Sequence, residues 1–130
     1  MTEEELVEAF TIPIRLVNGA NTREHWAKRA KRAKEQRGLA YMYMQQHQRE
    51  PGPVPPWLVT ITRVGKRKMD GDGLAISAKH VRDGIAEALG VDDGDEAKVT
   101  WAYAQEIGKE YAVKVRIETY AGARTREAGK

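Results

Sequence analysis

The chain has 130 residues, 41% hydrophobic and 32% charged, which is one domain's length with enough apolar material for a core. Cysteine is absent, which excludes disulfide frameworks, thiolate metal sites and cysteine nucleophiles and fits a reducing, cytoplasmic setting. The net charge is +3, no apolar run is long enough to cross a bilayer, and the acidic start Met1 to Glu8 lacks the layout of a secretory leader, so no membrane association is expected.

Phe10 to Val17 alternates Ile12, Ile14 and Leu16 and reads as a first strand, with Pro13 marking an edge position or a bulge. Asn18 to Asn21 is a turn, after which Thr22 is placed to cap a helix running to about Gln46. Trp26, Ala30, Ala33, Ala40 and Met44 give that helix an apolar stripe. Four of the five prolines fall between Arg49 and Pro56, a stiff connector. Trp57 to Val64 is a second strand, with a basic exit through Gly65 to Met69. A second helix is expected over about Leu74 to Leu89, with Leu74, Ala78, Val81, Ile85, Ala88 and Leu89 on one side and Gly90 as its stop. Lys98 to Ile107 and Glu110 to Tyr120 read as strands joined at Gly108-Lys109, the last with Tyr111, Val113, Val115 and Ile117 on one face. Ala121 to Lys130 reads as a disordered tail. The order β-α-β-α-β-β predicts one α+β domain over residues 1–120, with a mixed sheet and two main helices.

Charge is unevenly distributed. Residues 23–37 hold seven basic side chains against two acidic ones, and residues 70–96 hold eight acidic against two basic. An enzyme acting on polyanions needs this combination: cations hold phosphates, and carboxylates hold a divalent metal. Two solvated faces of opposite sign are the alternative.

Asp70 and Asp72 stand one residue apart between a strand and a helix, a spacing that aims two carboxylates at one point in extended chain. Asp92, Asp93 and Asp95 follow the second helix. Taken locally, helix capping by Asp70 and Asp72 and an ordinary solvated turn at Val91 to Asp95 are the simpler explanation of both groups. Asp70-Gly71-Asp72-Gly73 opens like a calcium loop, but its twelfth position is Val81, where a bidentate Glu is required. His25, His47 and His80 show no paired metal spacing. Lys79 and Asp83 are four apart on one helix face, either as a surface ion pair or as a lysine placed to meet a phosphate oxygen.

The run Met69-Asp70-Gly71-Asp72-Gly73-Leu74, then Lys79, Asp83-Gly84-Ile85, Leu89-Gly90 and Asp92-Asp93 resembles the RusA family of Holliday junction resolvases, phage and prophage endonucleases. Their pattern is D-x-D-N-L, a lysine, an aspartate four residues past it, and a later pair of aspartates. The similarity extends from about Lys66 to Val99, and the flanks agree more loosely. Gly73 stands where the family has Asn, and the segment from Asp72 to Lys79 is longer than the family's shortest. The resemblance implies a small α+β homodimer that uses magnesium, with manganese a possible substitute, to make paired nicks across a four-way DNA junction. It implies Asp70, Asp72 and Asp93 as catalytic metal ligands, Lys79 as the essential lysine, and Asp92 and Asp83 as further acidic positions, with Asp92 also a metal ligand. DNA-binding candidates are Lys66, Arg67 and Lys68 before the carboxylates and Lys28, Arg29, Lys31 and Arg32 on the first helix. A catalytically silent nucleic-acid-binding module of the same fold is the alternative function. Dimer contacts are expected at an open edge of the last strand, at Trp101 to Tyr103, or at Tyr41 to Tyr43.

Overall fold

The structure, a computed structural model, describes residues 7–17, 25–48 and 52–120. Strand β1 (Val7–Ile12), helix α1 (Trp26–His47), strand β2 (Trp57–Gly65), helices α2 (Gly71–Ser77) and α3 (Lys79–Leu89), and strands β3 (Val99–Ile107) and β4 (Ala112–Thr119) follow in that order. They form an α+β fold with three helices and a four-stranded mixed sheet, ordered β1-β4-β2-β3. β4 runs antiparallel to β1 and β2, whereas β2 and β3 are parallel. A parallel pair needs a long crossover, which α2 and α3 supply. The link from β3 to β4 crosses the end of β2, where Gly108 N donates to Gly65 O at 2.9 Å.

Strand alternation builds one core. Ile12 and Phe10 on β1, Val113, Val115 and Ile117 on β4, and Val59 and Ile61 on β2 point to the helix side and are buried. Ala40 and Met44 of α1 and Val81 and Ile85 of α3 close over them. The helices approach closely at Gly84, where a side chain would collide with the Arg37 carbonyl and the Ala40 methyl. α3 then ends at Gly90 in the left-handed conformation (φ 74°), which glycine adopts without strain.

Several expectations need correction. The first strand is Val7–Ile12, earlier than Phe10 to Val17, and Pro13 follows it. β1 does lie at an edge of the sheet. The N-cap of α1 is His25, whose Nδ1 accepts from Ala27 N at 3.1 Å. Thr22 and the turn at Asn18 to Asn21 lie outside the described residues, as does the tail 121–130. Ala40 and Met44 of the apolar stripe are buried, but Trp26 and Ala30 are exposed. The second helix is two helices, broken at Ala78 (φ −91°, ψ 0°), where Ser77 Oγ donates to the Leu74 carbonyl at 2.8 Å and competes for a helical acceptor. β4, expected to leave an edge open, sits inside the sheet between β1 and β2; the edges belong to β1 and β3. Among the described residues, no helix is long and apolar enough to cross a membrane.

Candidate functional site

At one end of the parallel pair the inward-facing layer turns from apolar to polar. Arg63 of β2 is directly opposite Gln105 of β3 in the register. Gln105 clamps the backbone of Met69: its Oε1 accepts from Met69 N at 2.8 Å, and its Nε2 donates to Met69 O at 2.7 Å. Arg63 Nη1 donates to Arg67 O at 2.7 Å and to Gln105 Oε1 at 3.3 Å. Arg63 is buried, and its Nε has no hydrogen-bond partner among the described residues. Gly65 makes room for this guanidinium, because a side chain there would overlap it. Two polar residues from neighbouring strands therefore fix the segment that delivers Asp70.

Asp70 is the N-cap residue of α2, yet its side chain makes no capping hydrogen bond. Asp72 lies in the first turn of the same helix, where a negative charge is favourable against the helix dipole. Both are exposed, and neither carboxylate is committed to a partner among the described residues. The pure capping explanation for Asp70 thus loses its hydrogen bond.

The second acidic group is held differently. The Arg82 guanidinium of α3 meets Asp93 twice: Nε is 3.2 Å from Oδ2, and Nη2 donates to the backbone carbonyl at 3.0 Å. The Nε contact is ionic without hydrogen-bond alignment. Nη1 donates to Tyr103 OH at 2.9 Å, and the guanidinium lies 4.9 Å from the Trp101 ring centroid. Trp101 Nε1 also donates to Asp93 O at 2.9 Å. Asp92 Oδ1 accepts from Gly94 N at 3.1 Å, and Asp95 Oδ1 accepts from Ala97 N at 3.2 Å, so both shape the loop.

Asp70 and Asp93 are thus anchored along the same face of edge strand β3, Asp70 through the Met69 clamp beside Gln105 and Asp93 beside Trp101. The anchoring residues Trp101 and Gln105 are four positions apart, about 13 Å along the strand. Among the described residues, no group of three or more His, Cys, Asp or Glu side chains is gathered closely enough to hold a metal ion. Asp70 and Asp72 are neighbours in sequence, but Asp72 lies in the first turn of α2 and not in extended chain. The expectation that their spacing aims both carboxylates at one point therefore does not hold, because residues two apart on a helix do not face each other. Asp92 and Asp93 follow α3 in one loop.

Lys79 is the first residue of α3, with Nζ 3.5 Å from Asp83 Oδ2, the expected pair one turn apart. Lys66, Arg67 and Lys68 are exposed just before Asp70. Lys28, Arg29 and Lys31 are exposed on α1, and Arg32 is half-buried. Arg29 and Arg32 line a cleft of about 220 Å³ whose opposite wall includes Ser77, Lys79 and His80. The fold therefore joins the first basic helix to the lysine of the acidic segment. Burial lowers the His80 pKa, and nearby Lys79, Arg32 and Arg37 lower it further against the opposing effect of Asp83.

Arg63, Gln105 and the partner of Asp93, Arg82, escape a motif reading. The first two leave a trace in the sequence, because both are polar residues at inward positions of otherwise apolar alternations. Arg82 leaves none, since its role depends on where the loop after Gly90 comes to rest. Comparisons with protein-family models, with curated proteins and with solved structures return no match to the chain.

Proposed function

We propose that the chain is a metal-dependent endodeoxyribonuclease of RusA type, which resolves Holliday junctions by paired nicks and acts as a homodimer. The observation that carries this reading is the exposed, uncommitted carboxylates of Asp70 and Asp72, which directly follow the backbone held by Arg63 and Gln105 and the cations Lys66, Arg67 and Lys68. The carboxyl ends of parallel strands are where open α/β sheets usually place ligands, and the clamp lies there.

The donor chemistry fits magnesium. Hard carboxylate oxygens from Asp70 and Asp72 suit it, and waters and substrate phosphates ordinarily complete its shell. When bound, magnesium would supply Lewis-acid activation of water and stabilise charge on the phosphate. The chain's own residues do the rest. Lys66, Arg67 and Lys68 hold the backbone beside the carboxylates, and Lys79 offsets negative charge on phosphate oxygens. Among the described residues, Asp92 and Asp93 are not gathered with Asp70 and Asp72 into one group of three or more that could hold a metal ion. In the present arrangement Arg82 neutralises Asp93.

That ion pair also favours a second reading, a silent module that binds branched DNA without turnover. Incubating the chain with an end-labelled four-way junction, with and without magnesium, separates the two. The nuclease reading expects magnesium-dependent cuts at matched positions on opposing strands. Junction binding without cuts under magnesium or manganese would support the silent module.

A further inference from the structure

We propose that the exposed amino-terminal half of α1, with the cleft it shares with the α2–α3 junction, binds unpaired DNA at a branch point. Trp26 stacks on an unstacked base, and Arg29, Arg32 and Lys79 hold the adjoining backbone. This rests on the reading of the chain as a DNA-acting protein and specifies what α1 reads.

α1 is 22 residues long, but the fold covers only part of it. Residues 26–31 are all exposed, and full burial begins at Gln36 and continues at Ala40 and Met44. Six exposed residues make up about 9 Å of the amino-terminal end of the helix. Trp26, the first residue of that stretch, is 74% exposed, the most open of the large hydrophobic side chains in the described residues.

Among the described residues, the charge pattern of this segment works against the helix it belongs to. Lys28, Arg29, Lys31, Arg32 and Lys34 crowd the first turns, and no acidic side chain lies in the first turn. Cations at a helix amino terminus oppose the helix dipole, and like charges three or four residues apart repel. A polyanion reverses both effects. The spacing also sets direction. Trp26, Arg29, Ala33, Gln36, Ala40 and Met44 recur every three or four residues, and the carboxyl end of that stripe is buried. Trp26 and Arg29 therefore continue the stripe beyond its buried part, in line with the cleft formed by Arg29, Arg32 and Gln36 on one side and Ser77, Lys79 and His80 on the other.

The two chemistries together select the ligand. A row of cations suits any DNA backbone, but an open indole adds affinity only where a base face is free of its stack. Paired duplex hides those faces; a branch point and single strands offer them. His25, with its ring 5.5 Å from Trp26, broadens the aromatic surface.

The test compares the full chain with Trp26→Ala, Trp26→Phe and Arg29→Ala. Each is titrated against single-stranded oligothymidine, linear duplex, and a four-way junction carrying 2-aminopurine at the branch. Trp26→Ala should weaken single-strand and junction binding about 5- to 100-fold. It should leave duplex affinity and the salt slope almost unchanged and abolish the change in 2-aminopurine fluorescence on binding. Trp26→Phe should restore most of the affinity. Arg29→Ala should weaken binding to all three DNAs and reduce the salt slope by about one. Unchanged single-strand and junction binding by Trp26→Ala, or an equal loss on duplex, would overturn this proposal while leaving the nuclease reading standing. Failure of the unmodified chain to bind any DNA would overturn both.

Discussion

Arg63 and Gln105 occupy inward positions that the alternation of β2 and β3 reserves for apolar side chains, and they hold the backbone from which Asp70 emerges. Gln105→Ala would leave the Met69 N–H and carbonyl without this partner, a loss of about 1–3 kcal/mol where the group is buried. Cleavage should fall more than DNA affinity, measured by single-turnover kinetics and titration side by side; an equal fall in both would assign Gln105 to folding alone. His80 supplies a pH dependence. Its lowered pKa means that the unfolded chain takes up a proton more readily than the folded one. Stability should therefore be fully present above the ordinary histidine value and decline as pH falls through the lowered one. His80→Gln should flatten that decline in denaturant titrations between about pH 7 and 5. At this scale the sequence reveals residue types and spacings. Asp70-x-Asp72 is visible because its two members are neighbours in the chain, and the Lys79–Asp83 pair because helix geometry fixes it. The Arg82–Asp93 pair is not visible, because eleven residues and a loop of unknown path separate its members.

Helices α1 and α3 meet at Gly84 with no room for a methyl group. Gly84→Ala should destabilise the fold by about 1–3 kcal/mol through overpacking, seen as a lower denaturant midpoint at unchanged slope. A neutral result would mean that the helices separate readily. The amphipathic stripe of α3 and the alternation of β4 are legible because burial imposes a period on each. The break at Ala78 is not, since alanine is the best helix former and only the Ser77 hydroxyl hints at a competitor for the Leu74 carbonyl. The order β1-β4-β2-β3 is likewise hidden: alternation tells which face of a strand is buried, never which strand lies beside it. That is why β4 looks like an open edge in the sequence while β3 holds that place in the fold. Trp26 carries a related lesson. It satisfies the helical stripe yet lies beyond the part of α1 that the body covers, so periodicity alone assigns it to a core it does not join.

Under the proposed junction-resolving activity, two matched nicks on a nearly two-fold junction require two Asp70-bearing sites, and one chain presents one. A homodimer is therefore expected, and two-fold dimers are the commonest assembly. Light scattering at micromolar concentration should give about twice the chain mass of 14.6 kDa. The interior position of β4 leaves the edges at β1 and β3 for strand pairing between chains, β3 carrying Trp101 and Tyr103. A monomer that still cuts opposing strands at matched positions would defeat the dimer while sparing the chemistry. The proposed chemistry rests on Asp70. The decisive measurement follows cleavage and binding of one four-way junction, in magnesium, by the unmodified chain and by Asp70→Asn in parallel. The account predicts that cleavage is abolished while junction affinity stays the same or rises, since one negative charge facing the DNA is removed. Undiminished cleavage by Asp70→Asn, or loss of binding together with cleavage in a variant that remains folded, would contradict it.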